Sequence, residues 1–339
     1  MTSSPQIYIL LPVHNRCKIT SDFIKCLKKQ TYRNYHLVLI DDGSTDRTSE
    51  TVLDLLPDAT IIRGKGNWWW GGSLQQGHNW LVQERVPAED YVLVMNDDTE
   101  FEADFLETGL SIMKDHRRTL LTATGYNLTT GQPQDPGGYK FAWKDLVCYE
   151  THDVSEINCL STRGMLATVG DFLSVGGFYP RLIPHYLSDL EFTMRAQERG
   201  LKLMLHSDFK IGIDFDKTGN RDLSNETYIQ YLLKNFSRRA AMNPIAWTNF
   251  IILRCPKEIK VKTLFKFWTL VLNRLFFVRS ISLIGHRFIV QSISSIKIIV
   301  SFVIRQGVRL IPFGMQQRMK KVVPAAIKRR LRKYHDNVH

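Results

Sequence analysis

Pairs of acidic side chains follow two apolar runs in the first hundred residues. Asp41 and Asp42 end the run YHLVLI, and Asp97 and Asp98 follow the run YVLVMN. Adjacent carboxylates repel each other unless a cation or a donor-rich ligand compensates them. Oxygen ligands suit Mg²⁺ or Mn²⁺, which bind one or two carboxylates together with substrate phosphates. One such pair alone favours a solvated turn, whereas two pairs at the ends of neighbouring strands favour a cation site.

A further acidic group stands where a helix is predicted to begin. Ser188 and Glu191 have the spacing of a capping box, and Gly200 is a natural helix stop. Asp189 then falls in the first turn, where the helix dipole alone favours an acid. A carboxylate fixed there is equally suited to act as a general base. The residues by themselves leave both interpretations open.

The segment GNWWWGG at 66–72 is the least ordinary part of the chain. Three successive tryptophans cannot all point into one core. The flanking glycines predict a loop whose backbone approaches a ligand closely. Aromatic faces stack on sugar rings and bases, and a core or subunit-interface role for at least one tryptophan is the alternative.

Short apolar runs alternate with segments long enough for helices, and this alternation predicts an open, Rossmann-like α/β sheet. Ligands of such sheets bind beyond the carboxyl ends of the strands, where the acidic pairs lie. The predicted strands are 6–13, 35–41, 59–63 and 91–96, and the predicted helices are about 18–30, 45–56, 72–86, 189–199 and 225–242, the last ended by Pro244.

Two nucleotide-binding signatures are missing from the sequence. No G-x-G-x-x-G follows the first predicted strand, which disfavours a dinucleotide-dependent redox enzyme. No G-x-x-x-x-G-K-[ST] occurs either, which disfavours phosphoryl transfer on a P-loop.

Four stretches, in this order, resemble glycosyltransferase family 2, the inverting group with the GT-A fold, over roughly residues 5–245. PVHNR resembles the first-strand signature of the family, DDGSTD its second, NDD its DXD metal motif and SDLEFTMRAQERG its acidic helix. GNWWWGG further resembles members that build bacterial surface polysaccharides such as O-antigen, including rhamnosyltransferase-like ones. The resemblance implies a mostly parallel open sheet flanked by helices. It also implies transfer of a hexosyl or deoxyhexosyl group from a UDP- or dTDP-linked sugar to a lipid-linked or cell-surface glycan.

The resemblance also implies a role for each matching residue. Asp189 would be the catalytic base, and Asp98 would bind Mg²⁺ or Mn²⁺, with Asp214 as a further ligand near the position of a histidine in many members. His206 comes several residues early and is interpreted as structural. Ser188 replaces the usual acid, which puts one acceptor or donor contact in doubt. The implied donor-binding residues are Pro12, Asn15, Asp41, Asp42, Asn67, Trp69, Trp70, Gly71 and Asp97.

Positive charge is concentrated near the end of the 339-residue chain, whose net charge is +12. From Arg254 onwards there are 19 Lys and Arg residues and two acids. Bases interrupt the apolar residues of 261–310 before any run reaches the ~18 residues of a membrane span. This pattern predicts a basic amphipathic helical region, 251–339, on an anionic membrane surface, after a catalytic domain of residues 1–250. Homodimerisation is the alternative, and the apolar content disfavours nucleic acid as the partner.

Cellular location and two rival functions complete the predictions. The five cysteines form no C-x-x-C pair and no secretory signal is evident, so we expect a cytoplasmic protein, peripheral on the inner face of the cell membrane. One rival function is a catalytically inactive glycan-assembly partner, which the intact acidic set disfavours. The other is a sugar-nucleotide pyrophosphorylase, whose glycine-rich basic signature after the first strand is missing.

Overall fold

The computed structural model describes residues 4–151, 153–213 and 234–276. The strands are β1 Ile7–Val13, β2 Tyr35–Asp41, β3 Thr60–Arg63, β4 Tyr91–Val94, β5 Thr99–Glu100, β6 Thr119–Asn127, β7 Pro133–Asp135, β8 Gly138–Ala142, β9 Val147–Glu150, β10 Cys159–Leu160, β11 Met165–Thr168 and β12 Lys202–Ile213. The helices are α1 Cys17–Leu27, α2 Thr48–Leu55, α3 Trp69–Gln83, α4 Phe105–Met113, α5 Val169–Val175, α6 Ser188–Glu198, α7 Pro244–Arg254 and α8 Lys260–Phe276, with a 3₁₀ turn at Val154–Glu156.

The main sheet has the order β3-β2-β1-β4-β11-β6-β12-β5, and β7 pairs with β6. Its first four strands are parallel, β11 runs antiparallel to both of its neighbours, and β12 is again parallel to β6. A small antiparallel sheet has the order β10-β8-β9. The predicted open α/β sheet is therefore confirmed, with β11 as its reversed central strand.

Helices cover both faces of the main sheet, and alternate residues of each strand enter different cores. Ile9 and Leu11 of β1 pack with α1, α2 and α4, whereas Leu10 packs with α3, α5 and α6. A strand covered on both faces reads as a continuous apolar run, which is why these strands were visible in the sequence. The buried carboxylates of the first four strands lie at or just beyond the carboxyl ends of β2 and β4, so the candidate chemistry lies at that edge of the sheet.

Two helices differ from their predicted bounds in an informative way. The third helix begins at Trp69, so the predicted loop at 66–72 is wrong from that residue onwards. Half of the predicted helix 225–242 lies outside the described residues, and 236–243 form turns. Pro244 starts α7 instead of ending a helix, because Asn243 caps it by accepting bonds from two backbone N–H groups at 2.8 and 3.1 Å. Proline at the first helical position is a common start.

The helices α7 and α8 contribute to the packed body of the protein. Trp247 stacks on Phe267 with ring centroids 5.7 Å apart, and Phe250 is fully buried. The first compact unit comprises residues 1–271, so the predicted boundary at residue 250 falls within α7; residues 272–339 form the second unit, described only to 276. Within the described ranges, no helix combines the length and apolarity needed to cross a membrane.

We predict that Phe267→Ala destabilises the protein by about 3–5 kcal/mol, the usual cost of removing a buried phenylalanine ring. Phe265→Ala is the matched control, since it lies on the same helix with 77% of its surface exposed. The control should change the free energy of unfolding by less than about 0.5 kcal/mol. Urea unfolding followed by tryptophan fluorescence measures both. Equal effects of the two substitutions would show that α8 does not pack on the body.

Candidate active site

Four aspartates gather where β2 and β4 end, on either side of β1. Asp41 is the last residue of β2, Asp42 follows it, and Asp97 and Asp98 come shortly after β4. Each has less than a tenth of its surface exposed. Carboxylates buried to this extent require hydrogen bonds or opposite charges, and each of the four obtains them differently.

The Asp41 carboxylate holds the turn that leads from β2 into α2. One oxygen accepts a bond of 2.7 Å from the backbone N–H of Ser44, and the other accepts from the hydroxyl of Ser49. Asn15 ties the same turn to the end of β1. The side-chain oxygen of Asn15 accepts from the backbone N–H of Thr45 at 2.8 Å, and the backbone N–H of Asn15 donates to the Ser44 hydroxyl. Pro12 lies opposite Ile40 in the register of β1 and β2.

The Asp42 carboxylate accepts four backbone hydrogen bonds. Gly66 and Asn67 donate to one oxygen at 2.9 and 3.0 Å, and Trp68 and Trp69 donate to the other at 2.8 and 3.0 Å. Four bonds use all the acceptor positions of a carboxylate. They also satisfy N–H groups at the start of α3, which explains why the helix begins three residues earlier than its sequence suggests.

Residues 66–70 form the segment that we call the tryptophan turn. Its three tryptophan side chains lie on two different sides. Trp68 and Trp70 pack on the core beneath, where the Trp70 indole N–H donates to the Thr162 hydroxyl at 3.1 Å. Trp69 has a left-handed backbone with φ 58°. Its ring lies under the guanidinium of Arg239, 4.9 Å from the ring centre, and 6.0 Å from the His185 ring. Asn67 is exposed.

Gly71 brings the start of α3 against the start of α6. Its N–H donates to the Pro184 carbonyl at 2.9 Å. A Cβ at this position would lie 2.9 Å from the Ile183 carbonyl oxygen and 3.2 Å from Cβ of Ser188, so only glycine fits. The tryptophan turn and the helix that carries Asp189 are therefore in direct contact.

Arg16 compensates the charge of the acidic pair after β4. Its Nε lies 3.0 Å from Asp97 Oδ1 and its Nη2 lies 3.2 Å from Asp98 Oδ2. The second Asp97 oxygen accepts from the Thr20 hydroxyl at 2.8 Å. Burial raises the pKa of Asp97 to about 6, against the lowering effects of Arg16 and Thr20, while the nearby Asp98 charge raises it further.

Two buried oxygens after β4 have no hydrogen-bond partner among the described residues. They are Oδ1 of the Asp98 carboxylate and Oδ1 of the Asn96 amide. Unsatisfied buried oxygens are costly, and oxygen is the ligand that Mg²⁺ and Mn²⁺ prefer. The donor set therefore fits a divalent cation. In the part of the chain that the structure describes, no three His, Cys, Asp or Glu side chains form a complete metal site. This is compatible with a cation held partly by substrate phosphates.

The two other residues considered for the metal lie on or after β12. Asp214 is outside the described residues, but Ile213 before it pairs with Thr99, the residue that follows Asp98. His206 lies within β12, with its Nδ1 3.8 Å from a carboxylate oxygen of Asp208.

Asp189 lies in the first turn of α6, but the predicted capping box is wrong. The residue at the N-cap is Leu187, which has φ 70°, and the Ser188 hydroxyl donates to the His185 carbonyl at 2.6 Å. Burial raises the pKa of Asp189, against the lowering effects of the helix N–H group and the Ser188 hydroxyl. A carboxylate with a raised pKa is a stronger base than an ordinary aspartate.

Glu191 pairs with Arg195 instead of capping the helix. Arg195 Nε and Nη2 donate to the two carboxylate oxygens at 3.0 and 2.8 Å, and both side chains are buried. The guanidinium also donates to the carbonyls of Val175, Gly176 and Gly177. The spacing of four residues between acid and base was a signal for this pair in the sequence.

Comparison with known proteins agrees with this geometry. Residues 8–168 match the model of the family "Glycosyl transferase family 2". The glycosyltransferase GlyG of Streptococcus pneumoniae serotype 4 is 23% identical over 154 residues, which cover 45% of this chain and about half, 49%, of GlyG.

Two solved structures are similar in fold. The mannosyltransferase PcManGT of Pyrobaculum calidifontis, in complex with GDP-Man and Mn²⁺, superposes with a TM-score of 0.51 at 12% identity, over 89% of this chain and 81% of its own. GalNAc-T7 with UDP, GalNAc and Mn²⁺ gives a TM-score of 0.51 at 14% identity, over 66% and 45%.

The chain thus has the GT-A fold, as the sequence motifs predict. Residues 8–168 match glycosyltransferase family 2, and the aspartates after β2 and β4 lie within the matched residues. Asp189 lies beyond the matched residues.

We predict that Asp42→Asn destabilises the fold by about 2–4 kcal/mol. An amide keeps one acceptor oxygen but turns an NH₂ group towards two backbone N–H groups, each of which then costs about 1–2 kcal/mol. Asp54→Asn is the control, because Asp54 is an exposed aspartate of α2. Urea unfolding measures both. A loss below about 0.5 kcal/mol for Asp42→Asn would mean that these four bonds do not hold the turn.

Proposed function

We propose that the protein is an inverting, metal-dependent glycosyltransferase. It moves a sugar from a nucleoside diphosphate, UDP or dTDP, to a hydroxyl of a lipid-linked or cell-surface glycan. One observation carries the proposal: Asp98 presents a buried oxygen without a hydrogen-bond partner in the described part of the chain, at the strand edge where ligands of α/β sheets bind. The presence of Mn²⁺ in PcManGT and GalNAc-T7 supports a divalent cation here.

The donor diphosphate would lie beside Asp98 at the carboxyl ends of β1, β2 and β4. A bound divalent cation, held by Asp98 with Asp214 as a further candidate, would neutralise charge on the departing diphosphate. Asp97 contributes a second buried carboxylate. The turns built by Pro12, Asn15, Asp41 and Asp42, and the segment Asn67 to Gly71, would form the walls of the donor site.

Asp189 would act as the general base. Its carboxylate takes the proton of the acceptor hydroxyl while that oxygen bonds to the anomeric carbon. The bond from the anomeric carbon to the diphosphate breaks at the same time, and the diphosphate leaves with the electron pair. A single displacement of this kind inverts the anomeric centre. The close approach of Gly71 to Ser188 supports a position of this base beside the proposed donor site.

The basic region beyond residue 276 completes the proposal. It lies outside the described residues, so its role rests on the sequence, in which bases alternate with large apolar side chains. We propose that it contacts an anionic membrane on the cytoplasmic face, close to a lipid-linked acceptor. Homodimerisation through the same region is the alternative.

A donor screen tests the proposed donor and the proposed metal requirement together. Nucleotide release from a panel of UDP-, dTDP- and GDP-sugars with Mn²⁺ should identify one donor, and Asp98→Asn should abolish turnover because it removes a charged ligand. Circular dichroism should show an intact fold in the mutant. Asp115→Asn, an exposed aspartate after α4, is the control and should retain full activity. Wild-type activity in excess EDTA would contradict the requirement for a metal.

The role of Asp189 gives a second prediction. Asp189→Asn should reduce kcat by roughly a hundredfold or more while leaving donor affinity intact, because an amide cannot take a proton. Only the ionised carboxylate is active, and its pKa is raised above 3.8. Wild-type kcat/KM should therefore fall with decreasing pH, with its midpoint above the ordinary range of aspartate. If the mutant loses thermal stability and keeps its activity, Asp189 serves only the helix.

A further inference from the structure

Arg16 is the only base within ion-pairing distance of Asp97 and Asp98 in the described part of the chain. Its guanidinium spans the pair, with Nε on Asp97 and Nη2 on Asp98 at 3.0 and 3.2 Å. The two carboxylates are almost completely buried, whereas 31% of the Arg16 side chain is exposed. A cation on a flexible stem therefore lies over the carboxylate proposed to bind the metal.

The Arg16 side chain is held by fewer contacts than the Arg195 side chain. The Arg195 side chain is 4% exposed, and its guanidinium donates to one carboxylate and three backbone carbonyls, so it cannot leave without uncovering all of them. The Arg16 guanidinium, by contrast, contacts only the two carboxylates and no backbone carbonyl within the described residues, although its Nε is buried. Its backbone is fixed, since its N–H donates to the Thr48 hydroxyl at 3.3 Å. The guanidinium can swing away while the base of the side chain stays in place.

A divalent cation on Asp98 and the guanidinium on the same carboxylate repel each other. Two positive groups so close together in a partly buried site repel each other strongly. A guanidinium matches two oxygens of a phosphate as well as it matches a carboxylate. When the cation binds, the displaced guanidinium therefore finds its best new partner in the diphosphate of the donor.

We propose that Arg16 is a tethered counter-ion that occupies the acidic pair when no metal is bound and transfers to the nucleoside diphosphate when the metal enters. The proposal rests on the proposed function, because it requires a diphosphate donor beside Asp98. Its consequence is cooperative binding. The metal alone binds weakly because it must displace the Arg16 guanidinium from its carboxylates. When the diphosphate also binds, the guanidinium forms a new ion pair with it, and the metal binds more tightly.

Binding of Mn²⁺ to the full-length protein tests this inference, by electron paramagnetic resonance of the free ion with and without UDP or dTDP. Arg16→Gln should bind Mn²⁺ alone about tenfold more tightly than wild type, because the competing cation is gone. The factor by which UDP tightens Mn²⁺ binding should fall by about tenfold, within the usual range of coupling between two ligands. Lys18→Gln, an exposed base two residues along α1, removes the same charge and should change neither value.

Weaker or unchanged Mn²⁺ binding by Arg16→Gln would overturn the inference and make Arg16 a permanent structural partner of the pair. If Arg16→Gln does not fold, Arg16→Lys replaces it. A lysine keeps the charge but cannot span both carboxylates, so Mn²⁺ alone should bind several-fold more tightly than to wild type. The measurement without UDP does not depend on the donor. If Mn²⁺ binds as expected and neither UDP nor dTDP has an effect even in wild type, the proposed donor is wrong and the role of Arg16 at the acidic pair stands.

Discussion

Buried carboxylates at one edge of the sheet impose the constraint on which the site depends. Four aspartates end two strands of a sheet that is covered on both faces, so water cannot compensate them. Backbone N–H groups and hydroxyls satisfy Asp41 and Asp42, and Arg16 with Thr20 satisfies Asp97. Of the four, Asp98 alone keeps an oxygen unpaired within the described residues. In the proposed site, the satisfied aspartates would build the walls, and Asp98 would be available to bind the cation.

The helix that carries Asp189, the proposed base, depends on a second buried network. Glu191 lies two residues after Asp189, and its ion pair with Arg195 is buried inside the helix interface. Arg254 of α7 also approaches Glu191, with Nε 3.5 Å from its carboxylate, and Nη1 bonds to Glu198 at 2.5 Å. Removing one partner of a buried ion pair is strongly destabilising, because the other charge is left uncompensated. The helix that carries Asp189 is thus fixed by residues that take no part in the chemistry.

The sequence predicts the first four strands of the main sheet better than it predicts the entrances to the helices, and it gave no prediction for β5 to β12. Strands covered on both faces form continuous apolar runs, and β2 was predicted to the residue. The start of α3 was not predictable, because the carboxylate that caps it belongs to Asp42, 27 positions away from Trp69. The start of α6 was misread because Glu191 has a better partner in Arg195 than in a helix end. Local patterns cannot anticipate partners that the fold brings from elsewhere.

The candidate site residues were likewise predicted only in part from the sequence. Motif resemblance identified the acidic groups at the edge, but it treated Asp42 as a donor ligand, while the structure uses both its oxygens for the backbone of the tryptophan turn. No role was predicted for Arg16, the last residue of PVHNR, because its partners are some 80 residues away in the sequence. Residue type alone does not distinguish a carboxylate that binds a ligand from one that shapes the cavity. The number of acceptor positions still free makes that distinction.

The tryptophan turn joins the two halves of the site mechanically. Asp42 draws the N–H groups of Gly66 to Trp69 towards the end of β2, and this fixes the first turn of α3. Gly71, in that turn, lies against Ser188 at the start of α6 with no room for a side chain. The position of the start of α6 relative to the end of β2 is therefore set by contacts of the backbone and not by flexible side chains. An in-line displacement needs its base and its leaving group at fixed separation. In the proposed mechanism, a rigid turn between the two helix starts would provide that separation before any substrate arrives.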